Sequence, residues 1–333
     1  MGRKRLSQKQ KERIAVIQAR RREKLATRTE KMLADYSQES AREGLVVVRH
    51  GQNLVVRDRE ERIHHCMIRR NIGHIVCGDR VVWQATGEDE GVVTALIERR
   101  SALIRPNYGG QERPLAANIT QLVIVLAPEP EPSRYLLDQY LVTAETIGVD
   151  ALIAVNKADL FTGESKTLFE RDFGFYSSIG YPTIHISAKF EHGLDPLIER
   201  LSGEMSILVG QSGVGKSSLV NALLPDLEIQ TGRLSETSGL GRHTTSASTL
   251  YTLPGGGSLI DSPGVRSFRL TTLDRAALEN GFREFLPYLG RCKFSNCSHE
   301  HEPGCALIAA VDSGDIHPQR LINFRHLAGG ISR

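Results

Sequence analysis

Long hydrophobic runs are missing from this sequence. Apolar runs such as residues 122–127 are short, with far fewer than the roughly 20 residues that a membrane-spanning helix needs. The basic N-terminal residues are not followed by an apolar segment, so a secretory signal is not expected either. We therefore predict a cytoplasmic protein that has no membrane partner.

Cysteine is scarce as well. The chain has 333 residues and five cysteines, three of which lie between positions 292 and 305. Such a local cluster favours metal binding in a reducing compartment over a disulfide framework. Cys66 and Cys77 lie far from the cluster, and we expect them to pack in the small β-barrel that is predicted below for residues 44–98.

A large net charge is also absent, but the charge that exists is unevenly placed. The whole chain carries +3, whereas residues 1–43 hold thirteen Lys and Arg against six Asp and Glu and so carry +7. A basic excess confined to one tail predicts a polyanionic partner such as RNA. A tail that only solubilises the protein is the alternative interpretation.

Between residues 44 and 98 the sequence has the pattern of five short strands. The predicted strands cover residues 44–50, 53–58, 62–70, 80–85 and 91–98. Turn signals at Gly51-Gln52 and Gly78-Asp79 support this division. The pattern predicts an OB-type β-barrel, a fold that often binds RNA, with Trp83 in its core. Five arginines could form its basic face: Arg57, Arg59, Arg69, Arg70 and Arg80.

Residues 99–117 are predicted to be a linker, and from residue 118 onward buried strands alternate with helices. The predicted strands cover residues 119–127, 151–155 and 183–186, and the predicted helices cover residues 133–147 and 194–201. This alternation predicts a parallel sheet with helices on both faces.

The run from Gly210 to Ser217 reads Gly-Gln-Ser-Gly-Val-Gly-Lys-Ser and fits the phosphate-binding P-loop pattern at every fixed position. An apolar strand precedes it and a helix follows, which disfavours a glycine-rich turn without chemistry. Lys216 would reach the β- and γ-phosphates, and the Ser217 hydroxyl would bind Mg²⁺. The N-terminus of the following helix would also attract the anion. The predicted phosphate-binding residues are Gly210, Gln211, Ser212, Gly213, Val214, Gly215, Lys216, Ser217 and Ser218.

Two further motifs each follow a predicted strand and resemble the guanine-recognition motifs of GTPases. They are Asn156-Lys157-Ala158-Asp159 and Ser187-Ala188-Lys189. The Asp159 carboxylate can accept from two N–H groups of guanine, whereas adenine would leave it unpaired. Lys157 would lie over the base, and Asn156 would tie its loop to the neighbouring loops. Because parallel sheets bind ligands at the C-terminal ends of their strands, the motifs together predict GTP rather than ATP.

Two more motifs follow the P-loop. Asp261-Ser-Pro-Gly264 resembles the Asp-x-x-Gly motif of GTPases, which implies that Asp261 holds Mg²⁺ through water and that the Gly264 N–H meets the γ-phosphate. In the earlier Gly241–Thr245 stretch, Thr245 would complete the Mg²⁺ shell, with Thr244 as the alternative. The guanine motifs thus precede the P-loop, in the reverse of the usual GTPase order. We therefore predict a circularly permuted GTPase domain.

The chain resembles the RsgA/YjeQ family of ribosome small subunit-dependent GTPases, most specifically at residues 241–245 and 261–268. The resemblance implies an OB-type barrel, a permuted α/β P-loop GTPase domain and a helical zinc domain. It also implies binding to the small ribosomal subunit and its rRNA, GTP hydrolysis to GDP that the subunit stimulates, and a role in late subunit maturation. We expect a basic tail at residues 1–43, an RNA-binding barrel at 44–105, the GTPase domain at 115–280 and the zinc domain at 281–333. The alternative function is an RNA-binding assembly module that keeps GTP as a structural ligand.

The usual water-positioning glutamine is absent. Its place directly after Gly264 is taken by Val265, which can neither donate nor accept a hydrogen bond. We therefore expect slow intrinsic hydrolysis, with Lys216, Thr245 and His243 as the catalytic residues. The resemblance supports His243 as the residue that positions the water; an exposed histidine in a mobile loop is the alternative.

The cysteine cluster has the spacing Cys292-x₄-Cys297-x-His299-x₅-Cys305. A Cys₃His set is typical of one structural Zn²⁺ and leaves no open position for catalysis. His301 could replace His299, but the family pattern favours His299. Residues 317–327 are predicted to form a helix with one basic face, which would contact RNA or close the domain. The sequence does not require a dimer, so we expect a monomer.

Overall fold

The computed structural model describes residues 41–51, 53–70, 72–106, 112–227, 248–262 and 273–331. Eleven of the strands in these ranges form one continuous sheet, and two more form a separate hairpin. No helix in the same ranges combines the length and the hydrophobicity that crossing a membrane requires.

The N-terminal strands close into a barrel. They are β1 (Ala41–His50), β2 (Asn53–Arg57), β3 (Ile63–Ile68), β4 (Arg80–Ala85) and β5 (Glu90–Leu96). Their order is β1-β2-β3-β5-β4, and β4 pairs back onto β1. The β3–β5 pair is parallel, while the other pairs within the barrel are antiparallel. The predicted five-stranded OB-type barrel is confirmed.

Trp83 fills the centre of this barrel, as predicted. Its side chain is fully buried beside Val46, Leu54 and Val56. Gly91 on β5 leaves room for the indole, because a Cβ atom there would lie only 2.6 Å from Trp83 Cε3. Cys66 belongs to the same buried cluster, and the packing prediction for it is confirmed.

The segment predicted to be a linker is a hairpin, so that prediction is wrong. Strands β6 (Ala102–Pro106) and β7 (Glu112–Ala117) pair in antiparallel fashion. Leu103 and Ala116 are completely buried and join the main core. This stretch contains many prolines, glycines and charged residues, which are typical of a linker. The few apolar residues that pack in the core did not form a recognisable strand pattern.

The central sheet follows the hairpin. Its strands are β8 (Gln121–Leu126), β9 (Asp150–Val155), β10 (Thr183–His185), β11 (Met205–Val209), β12 (Ser248–Thr252) and β13 (Ser258–Asp261). They lie in the order β10-β9-β8-β11-β13-β12, with all pairs parallel except β12–β13. Every residue of β8 is buried, as expected for a strand with parallel neighbours and covered faces.

Helices cover both faces of this sheet, as predicted. The helices of this part are α1 (Arg134–Ile147), α2 (Gly163–Phe173), α3 (Phe175–Ser178), α4 (Leu194–Leu201) and α5 (Lys216–Leu223). Three further helices, α6 (Arg275–Asn280), α7 (Ala306–Asp312) and α8 (Pro318–Ile331), form a separate C-terminal cluster. Alternate residues of β8 belong to different clusters: Ile124 packs with Leu137 of α1, and Val123 packs with Leu197 of α4. Strand β12 and helices α2, α3, α6 and α7 were not predicted.

The barrel and the central sheet are joined edge to edge. Val48 and Arg49 of β1 pair with Thr249 and Ser248 of β12. The Cys77 thiol donates to the Ser248 carbonyl at 2.9 Å. The barrel therefore continues the sheet through β12 instead of being attached only by a flexible connection.

The C-terminal helices dock on α1 through a buried ionic network. Arg320 of α8 and Asp138 of α1 are both completely buried and lie 2.6 Å apart. Asn323 and Tyr176 also donate to the Asp138 carboxylate, each at 2.6 Å, and Glu284 accepts from Arg320 at 3.0 Å. The predicted basic face of the C-terminal helix is therefore wrong at Arg320, which is buried and paired with acidic side chains.

This network yields a stability prediction. Replacing Arg320 with alanine would leave Asp138 and Glu284 as unpaired acids, and we expect a loss of about 3–5 kcal/mol in unfolding free energy. Urea unfolding followed by far-UV circular dichroism measures this loss, while fluorescence of the single tryptophan, Trp83, reports on the barrel separately.

Arg291 is exposed in the same domain and provides the matched control. Arg291→Ala should change the unfolding free energy by less than about 0.5 kcal/mol. Equal unfolding midpoints for the two variants would show that the network contributes nothing to stability.

Candidate active site and cysteine cluster

The loop after β11 depends on glycine for its path. Gly210, Gly213 and Gly215 have positive φ angles of 139°, 87° and 91°, which L side chains rarely adopt. A Cβ atom at Gly210 would also lie 2.3 Å from the Val125 carbonyl oxygen, and one at Gly215 would lie 2.4 Å from Asn156 Nδ2. The glycines therefore allow the loop both to turn and to approach the loops beside it.

Lys216 begins helix α5 and folds back over the same loop. Its Nζ donates to the Gly210 carbonyl at 2.7 Å and also to the Gln211 carbonyl. Gly215 precedes the helix and has no side chain to cap it, so the first N–H groups are suited to an anion. Ser217 and Ser218 are exposed on the first turn. The loop thus presents an ammonium group, hydroxyls and a helix N-terminus together.

Asn156 joins three loops at the C-terminal edge of the sheet. Its side chain is buried at the end of β9. Nδ2 donates to the Val214 carbonyl in the glycine loop at 3.0 Å, and Oδ1 accepts from the Ala188 N–H after β10 at 3.0 Å. The two stretches that resemble guanine motifs and the stretch that resembles a P-loop therefore meet at one junction on this edge of the sheet.

The residues that follow Asn156, and those of the loop after β10, lie at the same junction. Lys157 has a left-handed φ of 58° and donates from Nζ to the Glu129 carbonyl at 2.8 Å. Asp159 is exposed and accepts a hydrogen bond from the buried Ser187 hydroxyl. Lys189 is also exposed. Because the Asp159 carboxylate is exposed and held by the Ser187 hydroxyl, it can accept hydrogen bonds from an incoming ligand.

Asp261 ends β13, the strand next to β11. The following residue, Ser262, lies 2.8 Å from Ser248 through their hydroxyl oxygens, so the start of β12 and the end of β13 are fixed together. Parallel β11 and β13 end at the same edge of the sheet, which places Asp261 on the side of the glycine loop. The predicted site residues His243, Thr244, Thr245 and Gly264 lie outside the described residues.

Sequence reasoning missed the loop between β8 and α1. Glu129 supplies the carbonyl that accepts from Lys157. Pro130 Cδ lies 3.5 Å from the position that a Cβ atom would take at Gly213. The only sequence signal of this loop was its position at the end of β8, the most apolar strand. Such a position marks the ligand edge of a parallel sheet once the strand order is known.

The cysteine cluster is compact. The ligand atoms of Cys292, Cys297, His299 and Cys305 all lie within 4.8 Å of one another. His299 Nδ1 lies 3.3 Å from Cys305 Sγ and 3.6 Å from Cys292 Sγ. Among the described residues, His301 is not part of this group, which decides between the two candidate histidines in favour of His299. Three sulfurs and one imidazole nitrogen fit the tetrahedral ligand set of a structural zinc ion.

Comparison with known proteins explains this combination of parts. The family model of the RsgA GTPase matches residues 96–271. A protein of Azotobacter vinelandii named small ribosomal subunit biogenesis GTPase RsgA is 42% identical over 338 residues, covering 99% of this chain and 98% of that one. The chain belongs to the RsgA GTPase family.

Solved structures agree with membership in the RsgA family. YjeQ from Thermotoga maritima has a TM-score of 0.73 and 30% identity, over 88% of this chain and 99% of that one. YloQ, described as a circularly permuted GTPase, has a TM-score of 0.70 and 27% identity, over 89% of this chain and 98% of that one. The chain is therefore a GTP-hydrolysing enzyme of this family, and the predicted permuted fold is confirmed.

The bridging role of Asn156 yields a binding prediction. Asn156→Ala would leave the Val214 carbonyl and the Ala188 N–H without this partner, and each unsatisfied buried group costs about 1–3 kcal/mol. We expect GDP affinity to fall about 10- to 100-fold in titrations with a fluorescent GDP analogue. Asn280→Ala changes an exposed asparagine and should bind GDP like the unmodified protein. Unchanged affinity in Asn156→Ala would contradict the bridge.

Proposed function

We propose that this GTPase assists the late maturation of the small ribosomal subunit and hydrolyses GTP faster when it is bound to the subunit. The observation that carries the proposal is the junction at the C-terminal edge of the sheet, where Asn156 joins the glycine loop to the loops after β9 and β10. The choice of partner rests on relatives that are named small ribosomal subunit biogenesis GTPase RsgA. A protein acting on this partner would work in the cytoplasm, and we propose that it acts as a monomer.

In the proposed complex, the backbone N–H groups of residues 210–218 hold the phosphates and Lys216 neutralises the β- and γ-phosphates. The donor set for Mg²⁺ would be Ser217, Asp261 and Thr245. Ser217 is exposed on the first turn of α5 and Asp261 ends the adjacent strand, which fits an ion beside the phosphates. Such an ion supplies charge neutralisation during phosphoryl transfer.

For the base, we propose that Asp159 accepts the two guanine N–H groups and that Lys157 lies along the ring. The hydrogen bond from the Ser187 hydroxyl orients the Asp159 carboxylate before the base arrives. A backbone N–H of the loop formed by Ser187, Ala188 and Lys189 would read the guanine carbonyl oxygen. Adenine offers the opposite pattern of donors and acceptors, so the preference for guanine follows from these partners.

For the chemical step, we propose that His243 orients the attacking water. Val265 occupies the place of the usual glutamine and cannot bind water, so a different side chain is needed to hold it. Thr245 lies two residues after His243, so a metal-bound threonine would bring the histidine towards the γ-phosphate. A partner that orders this loop would complete the site, which is why we expect hydrolysis to be stimulated.

The RNA-binding surface of the barrel is smaller than the five arginines suggest. Arg59 and Arg80 both contact Glu43, at 3.0 and 2.9 Å. Arg69 and Arg70 are exposed, and no carboxylate within the described residues pairs with them. We propose that Arg69 and Arg70, together with the basic segment at residues 1–43, contact rRNA phosphates, where cations contribute salt-dependent affinity.

We further propose that the cysteine cluster holds one structural Zn²⁺. The support is the closeness of three sulfurs and His299 Nδ1. Residues 292–305, which we call the knot, contain few core residues. Metal binding would therefore supply a large part of the folding free energy of the knot. The ion would have no vacant ligand position and no catalytic role.

A turnover experiment tests the proposed stimulation. Added small subunits should raise GTP turnover by roughly 10³- to 10⁵-fold, the range seen when a GTPase site is completed. His243→Ala should abolish most of this increase and leave GTP affinity nearly unchanged, because the residue acts on the water. Phosphate release measured with and without subunits gives both results.

His326→Ala changes an exposed histidine of α8 and serves as the matched control for this experiment. It should retain full stimulation. Turnover that stays flat when subunits are added to the unmodified protein would instead favour an RNA-binding module with GTP as a structural ligand.

Metal removal gives a separate test, read by thiol alkylation at pH 8 and peptide mass mapping. With zinc bound, we expect no rapid alkylation of Cys292, Cys297 or Cys305; chelation should unfold the segment that carries them, so all three should then react. Burial raises the pKa of Cys66 and of Cys77 to about 12, so both should stay protonated and unreactive in either state. GDP affinity should be largely kept. Alkylation of the cluster at equal rates before and after chelation would exclude a bound metal.

A further inference from the structure

Helix α6 reaches the cysteine cluster from outside the set of four ligands. Glu279 on this helix lies with Oε1 3.3 Å from His299 Nε2. The opposite ring nitrogen, Nδ1, is the one that faces the sulfurs of Cys305 and Cys292. The imidazole is therefore held between a carboxylate and a sulfur pocket.

We propose that Glu279 is a positioning residue for the metal: it holds His299 with Nδ1 directed at the sulfurs and with its proton on Nε2. The inference rests on the proposed zinc site. A carboxylate that accepts from one ring nitrogen fixes the tautomer and leaves the other nitrogen as the ligand atom. It also increases the basicity of the ligand nitrogen, which strengthens the bond to the metal.

Glu279 is itself held in place. Arg275, one turn earlier on α6, donates from Nε to Glu279 Oε1 at 2.8 Å. The same guanidinium donates from Nη2 to the Ser298 carbonyl at 2.6 Å. The two side chains therefore form a clamp that reaches the residue before His299 as well as the imidazole ring.

The backbone of His299 is constrained from the other side. Its φ of 59° is left-handed, which is uncommon for a residue with a side chain. Arg325 of α8 donates to the His299 carbonyl from Nε at 2.8 Å and from Nη2 at 2.6 Å. Because α8 holds the His299 backbone, the side chain can still change the orientation of its ring. The contact with Glu279 restricts that rotation.

The position of α6 gives this contact a second effect. Within the described residues, α6 is the first helix after Asp261. The contact between Glu279 and His299 therefore links the metal cluster to α6, which begins shortly after residue 272. Metal binding would fix α6 as well as the knot.

Zinc affinity tests the proposal, measured by competition with a chromogenic chelator on the full chain at constant pH. Glu279→Ala should weaken zinc binding about 10- to 100-fold, the usual effect of removing such a partner. Glu279→Gln keeps an acceptor oxygen without the charge, so its loss should be smaller than that of the alanine variant. Glu300→Ala removes an exposed carboxylate near the same cluster and should stay within about twofold of the unmodified protein.

Two readouts separate positioning from a general structural role. Thermal melting in excess chelator should be the same for Glu279→Ala and the unmodified protein, since the effect depends on metal. In the Co²⁺-substituted protein, the visible absorption of tetrahedral cobalt should weaken or shift in Glu279→Ala and be largely kept in Glu279→Gln.

Each result has a defined meaning. Unchanged zinc affinity and an unchanged cobalt spectrum in Glu279→Ala would overturn the positioning role, while zinc binding by the unmodified protein would still stand. A Glu279→Ala variant that melts earlier than the unmodified protein in excess chelator would also overturn it, in favour of a packing role. If the unmodified protein bound no zinc, the proposed metal site would fail first.

Discussion

One buried amide holds the candidate active site together. Asn156 donates to the glycine loop and accepts from the loop after β10, and so connects its own loop to residues that lie 58 and 32 positions further along the chain. Without this bridge, the stretches that resemble guanine and phosphate motifs would be neighbours along one sheet edge without a fixed spacing. A purine triphosphate needs such a spacing, because its base and its phosphates are bound by different loops. The permuted chain order leaves this requirement unchanged, since strand β8 still lies between β9 and β11.

The sequence predicted the parts of this protein that follow from fixed spacing or clear periodicity. The P-loop pattern and the Asn-Lys-x-Asp motif require particular residues at particular positions, and the helix over residues 194–201 was predicted with the bounds that are observed. The barrel was predicted because its turn signals are regular. The hairpin of β6 and β7 was missed, because its packing depends on a few residues such as Leu103 that contact partners distant in sequence.

The buried charges could not be predicted for a related reason. Arg320 looked like a surface residue on a basic helix face, because its acidic partners are far away in sequence. Asp138 lies on α1, 182 positions earlier. Nothing local marks either residue as buried, and only the docking of α8 on α1 brings them together. The same limit applies to Glu279, whose contact with His299 depends on the placement of α6 beside the metal cluster.

The seam between β1 and β12 has a consequence for how the protein can be divided. In the native sheet, β12 is covered on one side by β13 and on the other by the barrel. A fragment that began after the barrel would leave β12 as an open sheet edge with unpaired backbone groups. Such edges recruit strands from other molecules and promote aggregation. Pairing with β1 of the barrel therefore leaves β12 with no open edge in the intact chain.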